Sequence, residues 1–265
     1  MTQTKIYADE KISGPRDGAG ETSGKAREVE AMFSAIARRY DFLNRLLSCG
    51  FDRSWRRAAV DALDPEPGEV LLDMATGTAD VALEIVAPHR PQSPRVIGVD
   101  FSRPMLDRAR RKISRRSGNS LIQLAAGAAE CLPFIDDCLD GAVAAFGLRN
   151  FADPRRGLDE LHRTLKPGGR LVILEFSLPP ARFLRTLYQV YFNEVLPRVG
   201  KLVSRHGSAY RYLPASVSAF PHREALVDWL EASGFQRVCY QDLTGGVVTL
   251  YSGINGDSPG KPHPF

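Results

Sequence analysis

The sequence predicts an α/β fold in which a mostly parallel sheet carries helices on both faces. Short apolar runs alternate with stretches whose apolar residues recur every three or four positions, as in successive βαβ units. The first two runs, 69–73 and 95–100, each end in an aspartate. The last two runs are joined by Thr244-Gly245-Gly246, which predicts an antiparallel hairpin at one edge of the sheet.

Seven strands are predicted, with helices between them. The strands are expected at 69–73, 95–100, 121–125, 139–146, 170–176, 235–243 and 247–253. Helices are expected at 81–87, from Ser102 onward, at 154–165 and at 223–233. Ser102 is suited to an N-cap because Pro104 follows it, and 166–169 contains a proline and two glycines typical of a turn. Apolar residues at helical spacing between Glu28 and Leu47 predict one helix or a broken pair before the first strand.

One domain and two tails are expected. Residues 1–25 are polar and lack the apolar core of a secretory signal, so we predict a disordered tail. The domain is expected over 26–253, with a helical cap at 26–64 and an insertion over the substrate at 177–222. Residues 254–265 are expected to be a loose tail.

Composition excludes several classes of protein. The chain is 43% hydrophobic and 25% charged, which is typical of a globular protein, and no apolar stretch approaches the ~18–20 residues that span a bilayer. The four cysteines form no C-x-x-C pair and have no histidine at metal-ligand spacing. We therefore expect free thiols and no metal site.

The net charge of +4 is unevenly distributed. The segment 177–222 holds six basic residues, one acid and apolar residues at helical spacing. That composition suits an interfacial amphipathic helix, although the same apolar face can also pack on the sheet or line a tunnel. A second basic run, 103–116, suits phosphates, but it lies on the helix after the second strand, where a solvated face is expected.

A nucleoside cofactor is predicted at the carboxyl ends of the first two strands. A turn of small residues around Gly77 follows the first strand and lets a ligand approach the backbone closely. Asp100 ends the second strand 23 residues beyond Gly77, close to the ~20-residue spacing at which an acid binds a ribose diol. The loop retains one glycine of the G-x-G-x-x-G pattern, which argues against a nicotinamide oxidoreductase. A cofactor without phosphates, such as S-adenosylmethionine, fits it better.

Several segments resemble the quinone C-methyltransferases of menaquinone and ubiquinone biosynthesis, which are class I, Rossmann-like enzymes. The segments are Met32–Asp41, Leu72–Asp80, Phe146–Asn150, Leu165–Leu171, Leu174–Ser177, Ser208–Leu213 and Leu243–Val248. The Phe-Gly-Leu-Arg-Asn and Tyr-Arg-Tyr-Leu segments are more specific than the turn at 166–169, which many methyltransferases share. The chain departs from the family at Thr76, Ala79, Ala128 and Ala145, where the family often has glycine, polar residues or serine.

The resemblance implies S-adenosylmethionine-dependent C-methylation of a prenylated quinol. Demethylmenaquinol is the preferred acceptor and a polyprenyl benzoquinol is the alternative. The expected cofactor-binding residues are Asp73, Gly77, Thr78, Asp100, Ala128, Ala129 and Ala145. The expected catalytic residues are Arg149, Asn150 and Tyr40.

Methylation of a quinol ring carbon is favoured when the neighbouring hydroxyl loses its proton. Phenols titrate near ~10, so a cation or a base must help at neutral pH. Arg149 stays protonated, so we expect it to stabilise the phenolate rather than to take the proton. Alternatively, Arg149 pairs with an acid and only shapes its loop. Tyr40, Tyr210 and Tyr212 either contact the substrate or cofactor or pack in the core.

The expected partners are the prenylated quinol and, transiently, a membrane surface, because such an acceptor resides in the bilayer. This implies a cytoplasmic enzyme with peripheral contact at the inner face of the cytoplasmic membrane. The sequence leaves open whether the chain forms a homodimer, and no nucleic-acid partner is expected. Two alternatives remain: an RNA acceptor on the same fold, suggested by the pI of 8.9, and a non-catalytic cofactor-binding scaffold of a quinone-synthesis complex.

Overall fold

The computed structural model describes residues 24, 45, 48, 50–90, 94–116, 119–191 and 208–256. Its strands are β1 (Val70–Met74), β2 (Arg95–Asp100), β3 (Ile122–Ala126), β4 (Leu139–Ala145), β5 (Leu165–Phe176), β6 (Phe235–Leu243) and β7 (Val248–Asn255). They form one sheet in the order β3-β2-β1-β4-β5-β7-β6, in which only the pairings of β7 are antiparallel among the described strands. The predicted seven-stranded, mostly parallel sheet with a C-terminal antiparallel hairpin is confirmed.

Helices cover both faces of this sheet. They are α1 (Asp52–Leu63), α2 (Asp80–Ile85), α3 (Arg103–Ile113), α4 (Pro154–Thr164), α5 (Arg182–Val190), α6 (Ser208–Ala219) and α7 (Glu224–Ala232). One buried core joins α4 and α7 to the sheet, and a second joins α1, α2 and α3 to its other face. All five residues of β1 are buried, because a parallel strand covered on both faces is a continuous apolar run.

The turn predicted at 166–169 is present, but it lies inside β5 rather than before it. Leu139 of β4 pairs with Leu165, and Gly141 pairs with Arg170. Residues 166–169 therefore bulge out of the ladder, and Gly168 makes this possible with a φ of 79°. The strand resumes at Arg170, where the sequence predicted that it would begin.

Strand β7 continues to Asn255, two residues into the predicted C-terminal tail at 254–265. The side-chain amide of Asn255 donates to the carbonyl oxygens of His162 at 3.0 Å and Leu165 at 2.5 Å. The end of the strand is thus fixed to the start of β5. Residues 257–265, nearly all of the tail at 1–25 and most of the cap at 26–64 lie outside the described residues.

The predicted insertion at 177–222 is described at 177–191 and 208–222, where it forms α5 and α6. Within the described part of the chain, no helix has the length and apolarity that crossing a bilayer requires.

Candidate active site

A cleft opens at the carboxyl edge of the sheet, among the loops that follow β1, β2, β3 and β4. It contains about 740 Å³ of space, counting the solvent at its mouth. Among the described residues, its lining consists of Met74, Ala75, Gly77, Asp100, Phe101, Met105, Ala128, Ala129, Glu130, Ala145, Phe146, Gly147, Asn150, Phe151 and Ala152. Most of these residues are small or apolar, as in sites where a ligand approaches the backbone closely.

The loop after β1 is held from below by Asp73. Its carboxylate accepts hydrogen bonds from the hydroxyl of Thr76 at 2.5 Å and from the N–H of Ala82 at 3.0 Å. Burial raises the pKa of Asp73 to about 7, because the charged form loses its hydration. Asp73 is therefore a positioning residue beneath the loop.

Asp100 lies in the cleft and joins two of its loops. One carboxylate oxygen accepts from the N–H of Gly77 at 2.9 Å, and the other accepts from the N–H of Ser102 at 2.8 Å. Burial raises the pKa of Asp100 to about 6. Each carboxylate oxygen has two lone pairs, so each can still accept one hydroxyl of a ribose diol. The site thus fits a nucleoside cofactor.

The loops after β1 and β4 approach each other so closely that only small residues fit between them. A Cβ atom added at Gly147 would lie 2.5 Å from the Cβ of Ala75, well inside van der Waals contact. Ala75 and Phe146 both have left-handed backbone, with φ values of 57° and 60°. Non-glycine residues rarely adopt this conformation, and such strain concentrates at functional sites.

Arg149 lies behind the cleft in a buried ion pair with Glu175. Its Nη1 donates to the Glu175 carboxylate at 2.6 Å and to the carbonyl of Phe146 at 2.7 Å. The backbone N–H of Arg149 also donates to Glu175, at 3.3 Å. The exposed fractions of the two side chains are 7% and 2%, so the pair is almost fully shielded from solvent.

Asn150 connects the cleft to α6. Its amide nitrogen donates to the carbonyl of Phe146 at 3.1 Å, and its amide oxygen accepts from the hydroxyl of Tyr212 at 3.0 Å. Burial raises the pKa of Tyr212, and the charge of Arg149 acts in the opposite direction. This region therefore combines a half-buried phenol, an amide and a buried cation.

Aromatic rings extend from the cleft toward the surface. The rings of Phe146 and Phe176 are 4.6 Å apart, and Trp55 lies 6.2 Å from each. The guanidinium of Arg149 lies over Phe176 at 5.4 Å. Phe51, which is 51% exposed, stacks on Trp55 at 6.2 Å.

The structure brings most of the predicted cofactor residues together. Those in the cleft lining are Gly77, Asp100, Ala128, Ala129 and Ala145. Asp73 lies beneath the loop instead, and Thr78 faces away, where its hydroxyl accepts from Lys112 at 3.2 Å. Asp73 and Thr78 are not among the described residues that line the cleft, and their contact with the cofactor stays a prediction.

The predicted catalytic residues separate in the same way. Asn150 lines the cleft, whereas Arg149 lies one layer behind it. The alternative in which Arg149 pairs with an acid is present as the ion pair with Glu175. Tyr40 and Tyr210 have side chains outside the described part of the structure.

Sequence reasoning missed the acid that pairs with Arg149 and several lining residues. Glu175 directly follows the apolar run Leu171–Leu174, and a buried charge requires a partner, so the signal was present. Phe101 and Met105 directly follow Asp100, but their apolar side chains are equally compatible with an ordinary core.

Strand order, cleft position and the Asp100 site define the S-adenosylmethionine-dependent methyltransferase class. The chain is similar to the solved structure of such an enzyme from Thermotoga maritima, with a TM-score of 0.57, 21% identity, and coverage of 85% of this chain and 99% of that chain. It is also similar to the cyclase SpnF, with a TM-score of 0.65, 15% identity, and coverage of 88% and 97%. At these identities the likeness shows the fold alone.

The profile of the ubiE/COQ5 methyltransferase family matches residues 21–255, and the chain belongs to this family. A Geotalea daltonii protein named ubiquinone/menaquinone biosynthesis C-methyltransferase UbiE is 46% identical over 229 residues, which cover 86% of this chain and 97% of that protein. A demethylmenaquinone methyltransferase of Clavibacter sepedonicus is 44% identical over 236 residues, which cover 88% and 93%. The predicted family, enzyme class and cofactor are thereby confirmed.

Proposed function

We propose that the chain transfers a methyl group from S-adenosylmethionine to a ring carbon of a prenylated quinol, with demethylmenaquinol as the acceptor. The observation that carries this proposal is the arrangement at Asn150. Its side chain lines the cofactor cleft and accepts a hydrogen bond from the hydroxyl of Tyr212. The Arg149 cation lies directly behind the cleft. A flat phenolic acceptor needs these three things together: a polar anchor, aromatic surface and a nearby cation.

The cleft residues suit the cofactor. Asp100 would hold the ribose hydroxyls, and Phe101 and Met105 supply apolar surface for the base. When bound, S-adenosylmethionine supplies an electrophilic methyl group on a sulfonium. The small residues Ala128 and Ala145 leave room for the ligand, and contacts there are through backbone atoms or van der Waals surface.

The positive charge of Arg149 acts on the acceptor hydroxyl through its electrostatic field. Burial raises the pKa values of the nearby phenols Tyr188 and Tyr212, and the charge of Arg149 offsets part of this rise at both. For an acceptor hydroxyl in the same region, Arg149 would likewise offset part of the cost that burial imposes on the phenolate. The phenolate loads the ortho carbon with charge, and the hydroxyl proton passes to water. Once that carbon carries the methyl group, its hydrogen leaves as a proton and the ring becomes aromatic again.

One assay tests the proposal. Labelled S-adenosylmethionine is incubated under reducing conditions with demethylmenaquinol and, in parallel, with a polyprenyl benzoquinol. Methylation of the naphthoquinol ring is the expected result. The name of the Geotalea daltonii relative includes ubiquinone, so methylation of the benzoquinol alone would establish the second candidate. Cofactor binding without turnover of either acceptor would instead support a non-catalytic scaffold of a quinone-synthesis complex.

The acceptor's location adds a membrane surface to the proposal. On α5, Phe183 is 79% exposed and Val190 is 50% exposed, with Arg182 and Arg185 on the same helix. Exposed apolar residues beside basic ones suit the surface of an anionic bilayer. Peripheral contact of a cytoplasmic enzyme through this helix would bring the cleft to its substrate.

Co-sedimentation with vesicles tests this contact. We expect binding to anionic vesicles that weakens at high salt, and a clear reduction in Phe183→Ser/Val190→Ser. Ile135→Ser removes an apolar side chain that is 43% exposed elsewhere and is the matched control. Binding by wild type that is independent of salt and lipid charge would contradict the proposal.

A further inference from the structure

Helix α3 and the turn after it present a stripe of cationic side chains. Arg108, Arg111, Lys112 and Arg115 stand at positions i, i+3, i+4 and i+7, and Arg116 follows at i+8. Residues at these spacings lie on one side of a helix, so their charges repel one another unless an anion is close. The sequence predicts a solvated face, and in the structure this exposed face is also concave.

These five side chains and Thr78 line a surface cavity with about 880 Å³ of space, counting the solvent at its mouth. Among the described residues, its lining contains no carboxylate, no aromatic ring and no aliphatic side chain. Such a lining is complementary to a compact, multiply charged anion.

In a neighbouring cavity over α1 and α2, some cationic side chains are paired with carboxylates of the protein itself. Its lining contains the carboxylates Asp52, Asp80 and Glu84. Asp52 pairs with Arg56 at 2.8 Å, and Asp80 pairs with Lys112 at 2.5 Å. Among the described residues, six arginine and lysine side chains line this cavity, and its three carboxylates neutralise part of that charge.

The cations over α3 are not balanced in that way. Within the described part of the chain, Arg108, Arg115 and Arg116 have no carboxylate partner. The Nε of Arg108 is buried and has no hydrogen-bond partner there. Buried donors are almost always satisfied, so this atom can still donate to an acceptor that the described residues do not supply.

We propose that the α3 cavity binds a phosphate-bearing ligand, either the headgroup of an anionic phospholipid or a free phosphate or diphosphate. Arginine forks pair with phosphate oxygens bidentately, and a lysine contributes a compact charge. The cavity is separate from the cofactor cleft, but the two share a loop, since Gly77 lines the cleft and Thr78 lines the cavity. The proposal does not depend on the identity of the quinol.

The composition of the lining favours a phosphate group over a nucleic acid strand. Proteins that hold single strands provide aromatic or apolar surfaces on which bases stack. The described lining offers cations and one hydroxyl only.

The test compares two double variants of the full chain that remove the same charge from α3 and the turn after it. Arg108→Gln/Arg115→Gln removes two cavity cations. Arg103→Gln/Arg110→Gln removes two exposed arginines outside the cavity lining and is the matched control. Binding of inorganic diphosphate is measured by calorimetry, and binding of phosphatidylglycerol and phosphatidylcholine vesicles by co-sedimentation, at one ionic strength.

We expect the cavity variant to lose at least tenfold in affinity for one of the anionic probes, whereas the control loses less than threefold. Diphosphate binding identifies a free ligand, and binding confined to phosphatidylglycerol vesicles identifies a headgroup. Equal losses in both variants, or no binding of either anionic probe to wild type, would overturn the proposal. So would binding of a short single-stranded RNA when neither probe binds. Arg116→Gln, which alters an exposed turn, provides a second cavity variant if the first melts at a lower temperature.

Discussion

The two halves of the cleft are built from different interactions. Around β1 and β2, the buried carboxylates of Asp73 and Asp100 accept hydrogen bonds from backbone N–H groups of the loops. Around β4 and β5, a buried ion pair between Arg149 and Glu175 carries the charge, and aromatic rings surround it. The half around β1 and β2 holds the loop backbone in position around a cofactor. The half around β4 and β5 places fixed side chains beside that cofactor.

This difference assigns pH sensitivity to the cofactor half. Burial raises the pKa of Asp73 to about 7 and that of Asp100 to about 6, so both titrate near neutrality. Because these values lie above the ordinary range, protonation stabilises the cofactor-free fold. That contribution is complete below about pH 4 and is lost as the pH rises through about 6 and 7.

The largest effect is expected in the charged half. Arg149→Ala should lower kcat by roughly 100-fold or more, as does loss of a donor to a developing oxyanion, with the cofactor Kd nearly unchanged. It should also cost about 3–5 kcal/mol of unfolding free energy, because Glu175 is left as a lone buried charge. Steady-state kinetics, calorimetry and denaturant unfolding measure the three quantities.

A second variant separates the two roles of Arg149. Arg149→Ala/Glu175→Gln removes the lone charge, so we expect it to recover much of the stability but none of the kcat. Recovery of both would mean that Arg149 only supports the loop, and the proposed field effect on the acceptor would be wrong.

The contact between the halves comes next. Gly147→Ala should weaken cofactor binding by about 1–3 kcal/mol, because the new methyl group collides with Ala75 and pushes the two loops apart. Adding Ala75→Gly removes the obstructing atom and should restore affinity. If the single variant binds S-adenosylmethionine normally, the loops are not closely fitted.

The cofactor half is then tested by pH. S-adenosylmethionine affinity should fall about tenfold between pH 7 and pH 5, because protonation of Asp100 removes the carboxylate that accepts the ribose hydroxyls. Asp100→Asn should bind weakly at both pH values and lose most of this dependence. An affinity in wild type that stays flat across this range would contradict the assignment.

The smallest effect is expected at the link between Asn150 and α6. Tyr212→Phe removes one hydrogen bond and should lower kcat/KM for the quinol by a few-fold, in line with about 0.5–1.5 kcal/mol for such a bond. The cofactor Kd should not change. Tyr240→Phe, which removes a hydroxyl from the outer strand β6, is the control and should leave kcat/KM unaltered.

The fold and the cofactor edge could be predicted from the sequence because their signals are local. Buried parallel strands are continuous apolar runs, and the rule that ligands bind beyond their carboxyl ends placed Asp100 and Gly77 together. The bulge at 166–169 was visible only as a turn, since the sequence does not reveal that Leu165 already pairs with β4.

At the site, the sequence did not reveal the direction of neighbouring side chains or the pairing of distant ones. Gly77 and Thr78 are neighbours in the chain, yet one lines the cleft and the other faces the α3 cavity. No periodicity predicts such a division inside a short loop. The pairing of Arg149 with Glu175 likewise depends on the register between β4 and β5, which sets residues 26 positions apart side by side.

The position of β7 has a consequence for synthesis on the ribosome. This strand is the last described in the chain, yet it lies between β5 and β6 and supplies the only described pairing of β6. The hairpin connection before it also accepts a hydrogen bond from Trp55, 189 residues upstream, through the hydroxyl of Thr244. A nascent chain that ends before residue 248 therefore exposes two unpaired strand edges, those of β5 and β6, which are prone to association with other chains. At translation rates of about 5–20 residues per second, this vulnerable interval closes only when the final strand has left the exit tunnel.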